Sequence, residues 1–238
     1  MKTDSVGNIT YMEATQIIEA GNRKQFYKIA SGLAVFTILY NVIEGLISTY
    51  FGYEDESLAL FGFGADSFIE VISGLGIAHM ILRIQQEPGS NRDGFERTAL
   101  LITGYAFYAL VIGLFATGFY NLWTGHKPGT TLWGVIISII SIAVMWGLIY
   151  GKTKMGNQLN SAAILADAEC TRVCIYMSVV LLVSSGIYEL TNIAYIDSIG
   201  TLGLAYLSFK EGWECFDKAR NNKSCSCEHG MNKVPLSR

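Results

Sequence analysis

Residues 58–81 read LALFGFGADSFIEVISGLGIAHMI, and the two acids in that run decide how the rest of the chain is read. A helix needs about 20 mainly apolar residues to cross roughly 30 Å of hydrocarbon, and this run is long enough. Yet Asp66 and Glu70 stand in its middle, four residues apart and therefore on one helical face. Two like charges so placed repel each other, and the cost rises as the dielectric falls. A bound cation, a shared proton or a basic neighbour has to offset it. Charge at that depth is a functional-site hypothesis by default.

Five more stretches have comparable length and hydropathy: 29–50, 98–123, 132–150, 162–188 and 193–209. The composition agrees, with 51% hydrophobic and only 16% charged residues among 238, where soluble domains carry about 25% charged. The 25 glycines against 3 prolines suit helices that pack closely in lipid. These runs are too long for a β-barrel, whose strands alternate over about 10 residues. Backbone groups in lipid must be satisfied within the segment, so helices are expected. The expected fold class is all-α: a polytopic membrane protein with six transmembrane helices. A net charge of −3 argues against a nucleic-acid partner.

Three regions follow. Residues 1–28 form a polar N-terminal segment without the apolar core and cleavage site of a signal peptide. Residues 29–209 form the membrane domain, and residues 210–238 a tail containing cysteines. Arg23, Lys24, Lys28, Arg83, Arg92, Arg97, Lys152, Lys154, Lys210 and Lys218 all fall on one side of the six spans. The opposite side has Lys127 and the acidic run Glu54-Asp55-Glu56. By the positive-inside rule both termini are cytoplasmic, and the cell membrane is the expected location.

The third and fourth spans, as delimited, contain no Asp, Glu, Lys or Arg. The first contains Asn41 and Glu44, the fifth Asp167, Glu169 and Arg172, and the sixth opens with Asp197. On the fifth span Cys170 and Cys174 repeat the four-residue spacing of Asp66 and Glu70, with Asp167 on their side. Glu169 and Arg172 fall together on another side. With a rise of about 1.5 Å per residue, Asp66 lies roughly 12 Å from the outer edge and Glu70 roughly 18 Å. Counted from the inner edge, Cys170 lies about 12 Å in and Cys174 about 18 Å. Asp66 is thus level with Cys174, and Glu70 with Cys170.

At these residues the chain resembles the cation diffusion facilitators. The segment 57–70, SLALFGFGADSFIE, is similar to the second helix of that family, where S-x-A-L-x-A-D-A-x-H/D-S-x-x-D supplies half of a transported-cation site. The segment 161–174, SAAILADAECTRVC, resembles the fifth helix, where H-x-x-x-D or D-x-x-x-D supplies the other half. Asp197-Ser-Ile-Gly is similar to the family's D-P-x-x-A/G opening of helix six. Together these cover about residues 27–216, and the resemblance is to the short branch lacking a C-terminal cytoplasmic domain. It implies a secondary transporter of divalent cations, typically zinc, leaving the cytoplasm in exchange for protons, and a homodimer as the family's usual state. It also implies that Asp66, Glu70, Cys170 and Cys174 hold the ion. Glu stands where the family has Asp, and two thiols replace a His/Asp pair, a softer donor set that zinc or cadmium accepts.

Secondary candidates surround these four. Asp167 is expected to attract the ion from the cytoplasmic side. Asn41 and Glu44 either line the cation path or bond to backbone and Arg172. The structural alternative for Asp66 and Glu70 is a buried polar pair bonded to Arg172 or Asn41. Glu169 and Arg172 read as a buried salt bridge, and Asp197 as the N-cap of the sixth helix. His79 reads as interface packing and His126 as a solvated loop residue. In the tail, Cys225, Cys227 and His229 form a weak metal-capture candidate against an inert flexible segment. With no Walker loop, no H-E-x-x-H and no Ser/His/Asp grouping, the chain is not expected to be an enzyme and needs no cofactor. Transport would then be gradient-driven. The alternative function is a non-transporting membrane subunit that binds metal or regulates a partner.

Overall fold

The structure is a computed structural model describing residues 4–86, 94–125, 127–159, 161–193 and 195–220. They form six helices: α1 (Asp4–Glu54), α2 (Leu58–Gln86), α3 (Gly94–Thr124), α4 (Leu132–Leu159), α5 (Ala162–Thr191) and α6 (Tyr195–Arg220). No strand occurs among the described residues. The first five are long and apolar enough to cross a membrane. At 26 residues α6 has the length but not the hydropathy, because its second half carries Lys210, Glu211, Glu214, Asp217 and Arg220.

The helices overrun the expected boundaries. α1 continues upstream through the polar segment as far as Asp4. α4 runs on past residue 150, so Lys152 and Lys154 are helical residues and not the loop bases expected. The α1–α2 turn is closed by Glu56 at φ 55°, and the α3–α4 loop is tied to it where Gly129 N–H donates to the Asp55 carbonyl at 2.9 Å.

α1 packs along α2, α3 along α6, and α4 along α5. α2 also touches α3, α5 and α6, which makes it the central element. Glycine permits this where backbones approach. A Cβ on Gly64 would lie 2.6 Å from the Thr49 amide nitrogen, and one on Gly52 would strike the backbone of Phe61. Large apolar side chains such as Phe36, Leu39, Ile43, Ile139, Trp146 and Val183 are exposed, as lipid-facing positions should be.

Two of the bundle's apolar clusters lie toward its ends. One joins Ala30, Ala34, Ile77, Ile81, Met155 and Ile164, at the end where α2 and α4 finish. The other joins Leu60, Phe63, Leu114, Ile137, Leu181 and Leu204 near the opposite end. Between them lies a buried polar layer of Asn41, Glu44, Asp66, Ser67, Ser141 and Ser178. The acids therefore sit between apolar seals, at mid-depth.

Candidate metal site

The helix that carries the acids is held at its start by another helix. Asp197 lies in the first turn of α6, but its carboxylate accepts from Ser57 Oγ at 2.7 Å and from Leu58 N–H at 3.0 Å. Besides standing in the first turn of α6, where the sequence reading has it as a cap, it therefore caps α2. An acceptor there satisfies an orphan amide and complements the positive helix end. Ser57 relays the cap to the Leu60 amide at 3.3 Å.

Twelve residues into α2, Glu70 is held from both sides. Its Oε2 accepts from Asn41 Nδ2 of α1 at 2.9 Å, and its Oε1 from Cys174 Sγ of α5 at 2.7 Å. The α2 acid and the α5 thiol thus meet directly, with no helix between them. One turn earlier Asp66 is only 3% exposed, and its Oδ1 has no hydrogen-bond partner. Asn41 is 2% exposed, and its Oδ1 is likewise unsatisfied. Buried acceptors left unpaired are expensive, so such a site favours a positive guest.

Glu44 is buried beside this pair, accepting from Tyr40 Oη at 2.8 Å and from Ser67 Oγ at 3.2 Å. Neither Asn41 nor Glu44 is held by Arg172. That guanidinium instead bonds Glu169 at 2.7 Å, with 46% and 34% of the two side chains exposed. The expected pair forms, but it is exposed and not buried, and it does not balance the α2 acids.

Asp167 does find a base. Lys152 of α4 is 1% exposed and places Nζ 2.9 Å from Asp167 Oδ1 and 2.8 Å from Thr171 Oγ1. Asp167 is thereby engaged as a structural ion pair. Sequence reading missed Lys152 because an apolar window ends before it. Tyr40 was also missed, although it stands one turn from Glu44 and its i,i+4 spacing would have marked it.

A cavity of about 60 Å³ opens beside Glu70 and Cys174, and Asn41, Cys170, Asp167, Glu211 and Cys215 also line it. That is room for a few waters or a partly hydrated ion. Helical rise sets Glu70 level with Cys170 and Asp66 with Cys174, whereas the structure bonds Glu70 to Cys174, one turn off that register; Cys170 lines the same cavity. In this arrangement no three His, Cys, Asp or Glu side chains among the described residues are gathered closely enough to hold a metal ion. The sequence reading puts Glu211 and Cys215 in the tail that begins at residue 210, whereas α6 continues to Arg220 and buries both; they repeat the same four-residue spacing. His126, Cys225, Cys227 and His229 lie outside the described residues.

No curated protein matches the chain significantly. The model of the cation efflux transmembrane domain matches residues 34–221, which takes in all the buried acids and thiols just described. With that match added to a six-helix bundle enclosing paired acids and thiols, the chain belongs to the cation efflux family and is a multi-pass membrane transporter of metal cations.

Proposed function

We propose that the chain exports a divalent metal ion, zinc foremost, from the cytoplasm in exchange for protons, with both termini on the cytoplasmic side. Asp66, Glu70 and Cys174 are the primary ligands, with Cys170 as a fourth ligand or as a group bonded to one of them. The observation that carries this reading is the Cys174–Glu70 hydrogen bond. Its proton sits between two atoms that would both ligate an ion, so the metal must displace it. Carboxylate and thiolate bind a dication only when deprotonated, and protons and metal therefore compete for the same atoms.

Exchange follows from that competition. From the cytoplasm the ion replaces the proton between Glu70 and Cys174 and draws in the unsatisfied Asp66 Oδ1. After the bundle reopens to the outside, protons return and release it. Mixed carboxylate and thiolate donors suit zinc in a tetrahedron and tolerate cadmium. Asp167, bound to Lys152, serves to join α4 and α5 rather than to capture the ion.

The test is zinc flux in proteoliposomes carrying a pH gradient. Wild-type protein should move zinc against the proton flow, and Asp66→Ala should not. Wild-type zinc rates in Asp66→Ala, or zinc binding without turnover in the wild type, would overturn the proposal.

A further inference from the structure

One carboxylate in the cavity wall is already taken. Asp167, Cys170 and Cys174 follow one another at intervals of three and four residues, on one face of α5. All three line the cavity beside Glu70. An ion held at Cys170 would therefore have Asp167 as its next donor along the helix, about 4.5 Å of rise away.

Lys152 is what occupies that carboxylate. The cavity wall is drawn from α1, α2, α3, α5 and α6, whereas Lys152 comes from α4 and is 1% exposed. α4 and α5 close on each other at Gly156, where a Cβ would lie 2.7 Å from Leu165 Cδ2. One turn before Gly156, on the same face, Lys152 donates to Asp167 Oδ1 at 2.9 Å and to Thr171 Oγ1 at 2.8 Å. The Thr171 hydroxyl gives its own hydrogen to the Asp167 carbonyl at 3.0 Å, so toward the ammonium it can only accept. Two acceptors one turn apart thus fix the ammonium between α4 and α5. It is an anchored charge, not a mobile competitor for the ligands across the cavity.

Anchoring it has a consequence for the donor set. Manganese and other hard ions prefer carboxylate, carbonyl and water oxygens, whereas thiolates select softer ions. With Asp167 neutralised by Lys152, the α5 face presents two thiols. With Asp167 released, the same face would add a carboxylate next to Glu70, a set much closer to what manganese takes. A buried ion pair adds little net stability over apolar residues of similar volume, so packing alone gives α4 no need of a charge there.

We infer that Lys152 determines which ions the site accepts: by engaging Asp167 it keeps that carboxylate out of the donor set and biases the cavity toward thiophilic dications over manganese. The inference rests on the reading of Glu70 and Cys174 as ligands, but not on the direction of transport.

The experiment compares cadmium and manganese binding by equilibrium dialysis on the purified full chain with Cys225→Ser and Cys227→Ser, so that tail thiols do not contribute. Lys152→Met should bind manganese about tenfold more tightly than this parent, the scale on which a supporting group alters metal affinity, with cadmium affinity changed far less. Removing the carboxylate as well, in Lys152→Met with Asp167→Leu, should abolish the manganese gain. Lys152→Met is also expected to be destabilised, and an ion that takes the place of the ammonium stabilises the fold by binding it. Manganese should therefore raise the melting temperature of Lys152→Met more than that of the parent or the double variant. An equal gain for cadmium and manganese would make Lys152 a general repeller of cations and overturn the inference. So would a manganese gain that survives in the double variant, or a Lys152→Met chain that manganese neither binds nor stabilises. A parent that binds no cadmium would remove the ligand reading and the inference with it. A parent that binds cadmium but moves none in proteoliposomes would remove export alone and leave the role of Lys152 standing.

Discussion

Replacing Lys152 by Met removes the positive partner of Asp167 while keeping the length of the side chain. The Nζ–Oδ1 separation is 2.9 Å, with side-chain exposures of 1% and 8%. At an effective dielectric of roughly 20, that pair is worth about 6 kcal/mol of Coulomb energy. Much of this is offset by the cost of taking both ions out of water, so the pair contributes little net stability. Removing one partner is another matter, because Asp167 stays buried without its partner at a cost of about 3–5 kcal/mol. Thr171 also loses its donor, since its Oγ1 accepts from the same ammonium at 2.8 Å. Lys152→Met should therefore be strongly destabilised. Lys152→Met with Asp167→Leu should recover most of the loss, as apolar replacement of a buried pair often does. Reversible denaturation in detergent micelles followed by tryptophan fluorescence measures both variants. A single variant within about 1 kcal/mol of wild type, or a double variant no more stable than the single, would refute the reasoning.

Other consequences follow from the same geometry. Asp197→Ala removes the cap of α2 and should cost about 1–2 kcal/mol, with faster amide exchange confined to the first turn of α2. Gly64→Ala would set a Cβ 2.6 Å from the Thr49 amide nitrogen and its Oγ1. It should destabilise by about 1–3 kcal/mol and depress metal-ion flux by displacing α1 from α2. At the α1–α2 turn, burial together with the charges of Glu54 and Glu189 pushes the Asp55 carboxyl up from its ordinary value. The folded chain then holds that proton more tightly than the unfolded chain. The Asp55 contribution should favour folding on acidification and be lost as pH rises through the carboxylate range, a limb that Asp55→Asn flattens in melting curves.

Much of the site was readable as sequence. The Asp66–Glu70 and Cys170–Cys174 pairs are local spacings on long apolar runs, and helical rise alone sets both near middle depth, though one turn off the register in which Glu70 meets Cys174. The structure brings α2 and α5 into contact and joins Glu70 to Cys174. Partner assignment was readable only in part. The Glu169–Arg172 pair forms as its spacing predicts, but on the exposed side of α5; that Asp197 reaches across to cap α2 and that Lys152 enters the bundle was not readable. Each miss has one origin: a helix that is apolar on all sides does not reveal which face it buries. Glu211 and Cys215 were lost for a related reason, since charges near the end of a span look like its exit from the membrane.

The order of residues along the chain was enough to determine that this protein lies in a bilayer as a bundle of helices, and that acids and thiols share its middle depth. Hydropathy and rise per residue are properties of single segments, so no neighbour is needed to read them. Which charge neutralises which, and that α6 contributes to the cavity wall, was decided by packing. Rotation about a helix axis is set by contacts between helices far apart in sequence, and those contacts exist only in the folded molecule.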